Sequence, residues 1–131
     1  MNPPAGYHTI TPYLMIRGAA EAIEFYKKAF GAVELMRDTD SSGRVRHAAI
    51  RIGDSPVMIA DEAPQFSERR SLQAFGGSPM NMFLYVDDAD AFAQRALDAG
   101  AKLITEIEDR PYGRSGGVKD PYGLDWWVCT V

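Results

Sequence analysis

The sequence is poor in the residue types that most often build reactive or metal centres. Cys129 is the single cysteine among 131 residues, and there are two histidines, His8 and His47. A lone cysteine excludes an intramolecular disulfide and a cysteine metal cluster, and it fits a reducing, cytoplasmic location. We expect Cys129 to pack as a small hydrophobic side chain and not to act as a nucleophile.

Long apolar runs and long runs of one charge are also missing. Residues 1–6 contain no basic patch followed by an apolar stretch, and no segment reaches membrane-spanning length, so we expect neither secretion nor membrane insertion. The 14 basic and 18 acidic residues give a net charge of -4, which argues against nucleic acid as a partner. No Ser/His/Asp array and no glycine-rich phosphate loop is evident.

What is present is the composition of one folded domain. Of the residues, 46% are hydrophobic and 24% are charged, which is typical of a globular protein and not of a disordered chain. A chain of this length suits one compact domain with a substantial core.

The hydrophobic pattern predicts the same series of elements twice. Residues 9–16 predict a strand, residues 19–30 a helix that ends at Gly31, and residues 32–38, 45–52 and 56–61 three further strands. Pro12 weakens the first strand, because proline lacks the N–H that a sheet ladder needs. The second series has a strand at 80–86, a helix at 89–99 that ends at Gly100, and a strand at 101–106. We therefore predict two modules, at about 7–62 and 80–131, joined by a linker at 63–79.

A hairpin closes the second series. Asp120-Pro121-Tyr122-Gly123 has the residues of a tight turn. In the outgoing strand, Asp125, Trp127 and Cys129 share one face, and Trp126 shares the other face with Val128. We expect one of these faces to pack under a helix and the other to line a pocket.

The order and spacing of these motifs resemble those of the vicinal oxygen chelate superfamily, which includes glyoxalase I, bleomycin-resistance proteins and extradiol dioxygenases. The motifs are Tyr13-Leu14-Met15-Ile16, Ala22-Ile23-Glu24-Phe25-Tyr26, Leu84-Tyr85-Val86-Asp87-Asp88 and Asp120-Pro121-Tyr122-Gly123. The segments 57–62 and 76–79 look like the PhnB-like branch. The resemblance implies an α+β fold of two βαβββ modules that form half-barrel cups, and it implies a homodimer.

The resemblance also places four positions where metal-dependent members carry ligands, on the first and last strand of each module. Here these positions fall on Thr11, on Asn81, on Ile59 or Asp61, and on Trp127. Most of them cannot replace the imidazole, thiolate or carboxylate groups that zinc or iron sites need. We expect no cofactor; a divalent metal held by Asp61 or Glu62 is the alternative.

The strand alternation predicts a pocket of aromatic and polar side chains. Its predicted ligand-binding residues are Thr11, Tyr13, Asp61, Asn81, Phe83, Tyr85, Asp125 and Trp127. Aromatic faces stack on planar molecules and attract organic cations. The competing interpretations are that Asp61 caps or turns the chain, and that Phe83, Tyr85 and Trp127 fill the core.

Three functions are compatible with these observations. The first is metal-independent binding or sequestration of a small planar or cationic molecule. The second is a lyase, isomerase or dioxygenase with a non-standard metal site, and the third is a dimeric structural or regulatory module. The missing ligand residues and the aromatic face favour the first.

Overall fold

The computed structural model describes residues 2–63 and 70–131, and its first half is one βαβββ module. The elements are β1 (Tyr13–Met15), α1 (Ala19–Phe30), β2 (Val33–Thr39), β3 (Val45–Ile52) and β4 (Ser55–Ala60). They form a sheet of order β1-β4-β3-β2, in which β1 is parallel to β4 and the other pairs are antiparallel.

The second half repeats this topology. Its elements are β5 (Asn81–Tyr85), α2 (Ala89–Ala99), β6 (Lys102–Arg110), β7 (Gly113–Lys119) and β8 (Asp125–Thr130). The sheet order is β5-β8-β7-β6, and β5 is parallel to β8. The predicted α+β fold of two βαβββ modules is confirmed, with two open four-stranded sheets in the described residues.

Each helix covers one face of the sheet in its own module. Helix α1 buries Ala22, Ile23 and Tyr26, the residues of its apolar stripe, and it ends at Gly31, whose φ of 68° is left-handed. Alternate strand residues such as Leu14, Ile50 and Ile59 complete this core. In the described residues no helix packs on the opposite face of either sheet. We call this face of the β1–β4 sheet the first open face and this face of the β5–β8 sheet the second open face.

The modules are joined by aromatic packing between α1 and the second half of the chain. Phe30 stacks on Phe92 of α2 at 5.4 Å between ring centroids, and it lies 4.7 Å from Trp126 of β8. The hydroxyl of Tyr26 donates a hydrogen bond of 2.5 Å to Asp120, which also accepts a bond of 2.9 Å from the Trp126 indole. Because the helices and these rings lie between the modules, the open faces lie on the outer sides of the two sheets.

Two predictions about the elements need correction. The first strand is shorter than predicted and begins at Tyr13, because Pro12 precedes it and leaves no N–H for the ladder. Strand β6 extends to Arg110, beyond the predicted end.

The described part of the predicted linker comprises residues 63 and 70–79, and it meets the outer edge of β1 at Leu72. It contains a short 3-10 turn at Gln73–Phe75, and the Leu72 N–H donates to the Met15 carbonyl at 2.9 Å. Residues 64–69 of the predicted linker lie outside the described residues. Neither helix in the described parts of the chain has the length and hydropathy needed to cross a membrane.

Candidate functional site

The second open face collects five of the residues that the sequence predicted for ligand binding. Asn81 lies opposite Asp125, and Phe83 lies opposite Trp127, in the parallel pairing of β5 with β8. Tyr85 follows on the same face of β5. Their neighbours Met82, Leu84, Trp126 and Val128 point the other way and pack with the core.

Trp127 is held flat on this face by two neighbours. Its indole N–H donates to the Asn81 side-chain oxygen at 3.0 Å. Beneath the ring lies Gly117, where an added Cβ would be only 2.5 Å from the indole. A larger residue at 117 would lift the ring off the sheet, so the glycine and the amide together give Trp127 a defined position.

Phe83 and Tyr85 extend the aromatic surface to the free edge of the sheet. Their ring centroids are 5.3 Å apart, and the side chains are 50% and 75% exposed. The alternative that they fill the core is therefore wrong for these two rings, whereas Trp126 does lie in the core at 2% exposure. Asp125, at the other end of the face, is paired with Lys119 at 2.6 Å.

A cavity of about 750 Å³ runs along the outer edge of β5. Both Phe83 and Tyr85 border it, together with the turn between β3 and β4 and residues His8, Ile10 and Pro12. Strand β5 has no partner on this edge among the described strands. The aromatic surface therefore continues from the second open face into the cavity.

The first open face differs in composition. Tyr13 lies on it as predicted, but Thr11 precedes β1, and its hydroxyl donates to the His8 carbonyl at 3.4 Å. The other members are Met15, Met36, His47 and Met58, with Ala49 and Ala60 between them. His47 and the methionines of β2 and β4 were not among the predicted site residues, although the alternation of Ala48, Ile50 and Ile52 in β3 assigns His47 to the opposite face.

The Asp61 carboxylate accepts hydrogen bonds from backbone N–H groups and does not reach either open face. One carboxylate oxygen accepts from the Gly18 and Ala19 N–H groups at 3.0 Å each, and the other accepts from the Val45 N–H at 2.8 Å. These bonds use three of roughly four lone-pair positions on the carboxylate. The geometry thus corresponds to the capping interpretation of this residue.

Glu62 also has protein partners. It accepts from the Ser71 N–H at 3.2 Å and forms an ion pair of 3.3 Å with Arg17. Hydrogen bonds from Ser71, and then the Arg17 guanidinium, lower the pKa of Glu62 below its usual value.

The four family ligand positions do not fit a metal site of the usual kind. Ile59 is buried in the core against α1, and Thr11, Asn81 and Trp127 offer a hydroxyl, an amide and an indole. Among residues 2–63 and 70–131, no group of three or more His, Cys, Asp or Glu side chains is arranged to hold a metal ion.

Known proteins of similar sequence and structure span almost the whole chain. An uncharacterized protein of Mycobacterium tuberculosis is 45% identical over 120 residues, which cover 89% of this chain and 71% of the relative. The solved structure of an Arabidopsis thaliana gene product matches with a TM-score of 0.74 at 25% identity, covering 94% of this chain and 98% of that one.

Two further structures share the fold. One is a PhnB protein from Bacillus cereus, with a TM-score of 0.72 at 18% identity over 95% of this chain and 100% of that one. The other is TnmS3, an antibiotic binding protein from Streptomyces, with a TM-score of 0.67 at 20% identity over 95% of this chain and 98% of that one. Residues 7–128 match the model of the glyoxalase/bleomycin resistance protein/dioxygenase superfamily. The chain therefore belongs to the glyoxalase/bleomycin resistance protein/dioxygenase superfamily.

Proposed function

We propose that the protein binds and sequesters a small planar or cationic molecule on the second open face, without a metal ion. The observation that carries the proposal is the fixed Trp127 ring, which the Asn81 amide and Gly117 hold flat beside the exposed Phe83 and Tyr85 rings. Rigid aromatic faces bind planar ligands by stacking and attract cations through their electron-rich faces.

The chemistry of this face supports binding better than catalysis. Its carboxylate, Asp125, is paired with Lys119, and Asp61 is committed to backbone N–H groups. The net charge of -4 favours a cationic guest over an anionic one. TnmS3, which has the same fold, is described as an antibiotic binding protein, so a binding role on this fold has a precedent.

The proposal includes a homodimer in the cytoplasm. Among the described residues of one chain, no helix or strand packs across either open face, and Tyr13, Met36, Phe83 and Tyr85 are 42%, 41%, 50% and 75% exposed. A second copy that packs against these faces would complete a cup around the ligand. Sedimentation equilibrium should give twice the 14.5 kDa mass of the chain, and a monomer at tens of micromolar would contradict this part.

The binding proposal is tested with named probes and tryptophan fluorescence. We expect proflavine, a planar cation, to quench the emission, and fluorescein, an anion with a planar xanthene ring, to quench it less at equal concentration. Trp127→Ala should remove the quenching and weaken proflavine binding in calorimetry. Phe75→Ala is the matched control, because Phe75 is an exposed aromatic residue on the 3-10 turn and not on the second sheet.

The metal-independent part has its own test. Protein dialysed against EDTA should bind proflavine with unchanged affinity. If binding is lost and a divalent ion restores it, the metal-dependent enzyme becomes the better explanation. Failure of both dyes to bind, or unchanged affinity in Trp127→Ala, would overturn the proposed site.

A further inference from the structure

We infer that Tyr13 and His47 form a second recognition site, on the first open face, for a planar aromatic molecule that carries an oxygen hydrogen-bond acceptor. The inference rests on the proposed small-molecule binding, and it adds the chemical class of the ligand and a set of residues on the other sheet.

The side chains of the first open face form a continuous surface across the four strands. Tyr13 of β1 lies opposite Met58 of β4, Met58 lies opposite Ala49 of β3, and Ala49 lies opposite Met36 of β2. Ala49 is 1% exposed and Ala60 is 0% exposed, although neither belongs to the core beneath α1. The longer side chains of the same face therefore cover them and form the surface that a ligand would meet.

Tyr13 and His47 are the hydrogen-bonding groups in contact on this surface. The Tyr13 hydroxyl oxygen lies 3.3 Å from Nδ1 of His47, and the two rings meet edge to face at 5.4 Å between centroids. This contact orients the imidazole, while Nε2 has no hydrogen-bond partner in the described parts of the chain.

The pair keeps one donor for a ligand in either imidazole tautomer. If the Tyr13 O–H donates to Nδ1, the proton of the neutral ring is on Nε2 and that N–H remains available. If Nδ1–H donates to the Tyr13 oxygen, the Tyr13 O–H remains available. A ligand acceptor, such as a carbonyl oxygen, complements this donor.

The methionines favour an aromatic partner. Met15, Met36 and Met58 lie around the pair on the same face, and thioethers make adaptable contacts with aromatic rings. On the second open face, by contrast, the Trp127 N–H is already bonded to Asn81, and Asp125 is bonded to Lys119. The first open face thus supplies the hydrogen bond to the ligand, and the second open face supplies the aromatic ring on which it stacks.

The test uses the two histidines as reporters. In ¹H–¹⁵N NMR of the imidazole groups, His8→Gln assigns the two signals. The probes are coumarin, chromone and 1-indanone, which carry a ring carbonyl, with naphthalene as the aromatic reference that lacks an acceptor. We expect the carbonyl compounds to shift the Nε2 signal of His47 and leave His8 unchanged.

Affinity measurements on variants complete the test. His47→Phe should bind the carbonyl probes about fivefold more weakly, as expected for one lost hydrogen bond, and should bind naphthalene unchanged. His8→Gln is the matched control and should keep full affinity. The wild-type NMR shift needs no substitution, so a folding defect in His47→Phe leaves the inference testable.

The outcomes separate this inference from the proposed function. Quenching of Trp127 by proflavine, together with a His47 signal that no carbonyl probe shifts, would overturn the Tyr13–His47 site and leave the aromatic site standing. Equal affinity for the carbonyl probes and for naphthalene would also overturn the Tyr13–His47 site. If no probe changed either the tryptophan emission or the His47 signal, both the inferred site and the proposed function would be overturned.

Discussion

The two modules start their helices in different ways, although their topology is the same. Helix α1 has Gly18 at its N-cap, which offers no side chain, and Asp61 at the end of β4 accepts from the Gly18 and Ala19 N–H groups instead. Helix α2 has its own cap, Asp88, which accepts from Ala91, and Thr130 at the end of β8 accepts from Ala89. The comparison teaches that a carboxylate at a strand end can replace a missing local cap, so that a family ligand position on a strand can serve a structural role instead.

Asp61→Ala should therefore have the largest effect on stability. It removes three backbone hydrogen bonds, at Gly18, Ala19 and Val45, and we expect the free energy of unfolding to fall by about 3 kcal/mol. Thr130→Val, which removes one bond at the corresponding place, should cost about 1 kcal/mol. Denaturant unfolding measures both.

The control for this pair is Asp87→Ala, which removes an exposed carboxylate for which the described structure shows no hydrogen bond. Its stability should match that of the wild type within about 0.5 kcal/mol. If Asp61→Ala were equally silent, the capping role would be wrong.

The hairpin turns of the two sheets also differ in what their aspartates bond. Asp54, in the turn between β3 and β4, is exposed and bonds only the adjacent Ser55 hydroxyl among the described residues. Asp120, in the turn between β7 and β8, is 3% exposed and accepts from the Tyr122 and Leu124 N–H groups, from Trp126 and from Tyr26. Among the described residues, the aspartate of the second turn therefore bonds the other module and that of the first turn does not.

Tyr26→Phe should weaken this connection between the modules. It removes the buried bond of 2.5 Å to Asp120 and leaves the Trp126 bond in place, so we expect a loss of about 2 kcal/mol. Tyr112→Phe, at an exposed tyrosine of the β6–β7 turn, is the control and should change little. Chemical denaturation measures both variants, and equal stabilities would contradict the role of the Tyr26 bond.

Gly117→Ala tests the packing of the Trp127 ring on Gly117 in the second open face. The new Cβ would meet the indole of Trp127, and we expect a loss of about 1.5 kcal/mol together with a changed near-ultraviolet circular dichroism spectrum. In a Trp127→Ala background the same substitution should cost much less, because the ring that it meets is gone. If Gly117→Ala lowered the free energy of unfolding equally in that background, contact with the Trp127 ring would not be the cause of the destabilisation.

Alkaline pH should produce the smallest of these effects. Burial, and then the charge of Asp120, raise the pKa of Tyr26 well above its usual value, and burial raises the pKa of Tyr122 to about 12. A raised folded-state pKa means that the stabilisation is complete below the unfolded value of about 10 and is lost as pH rises above it. For Tyr26 the loss at pH 10.5 should be about 0.8 kcal/mol.

The measurement is the free energy of unfolding at pH 8 and at pH 10.5. Tyr26→Phe should reduce the difference between the two values, because its ring cannot ionise. An identical difference in the wild type and the variant would show that Tyr26 does not contribute.

Local sequence signals predicted the elements well. Both helices have the predicted bounds, Ala19–Phe30 and Ala89–Ala99, because an apolar stripe followed by glycine depends only on nearby residues. The alternation in β8 likewise predicted that Trp127 and Trp126 lie on opposite faces. The start of β1 was predicted less well, since residues 9–12 have the composition of a strand but Pro12 has no N–H to donate to the ladder.

The sequence by itself therefore determined the two modules, the helix bounds and the composition of each strand face, because these follow from periodicity and turn chemistry over a few residues. Only the tertiary structure decided that Asp61 bonds Gly18 and Val45, that Tyr26 bonds Asp120, and that Tyr13 meets His47. These contacts join residues that are 16 to 94 positions apart. They depend on how β1 pairs with β4 and how α1 packs on the second module, which no local pattern encodes.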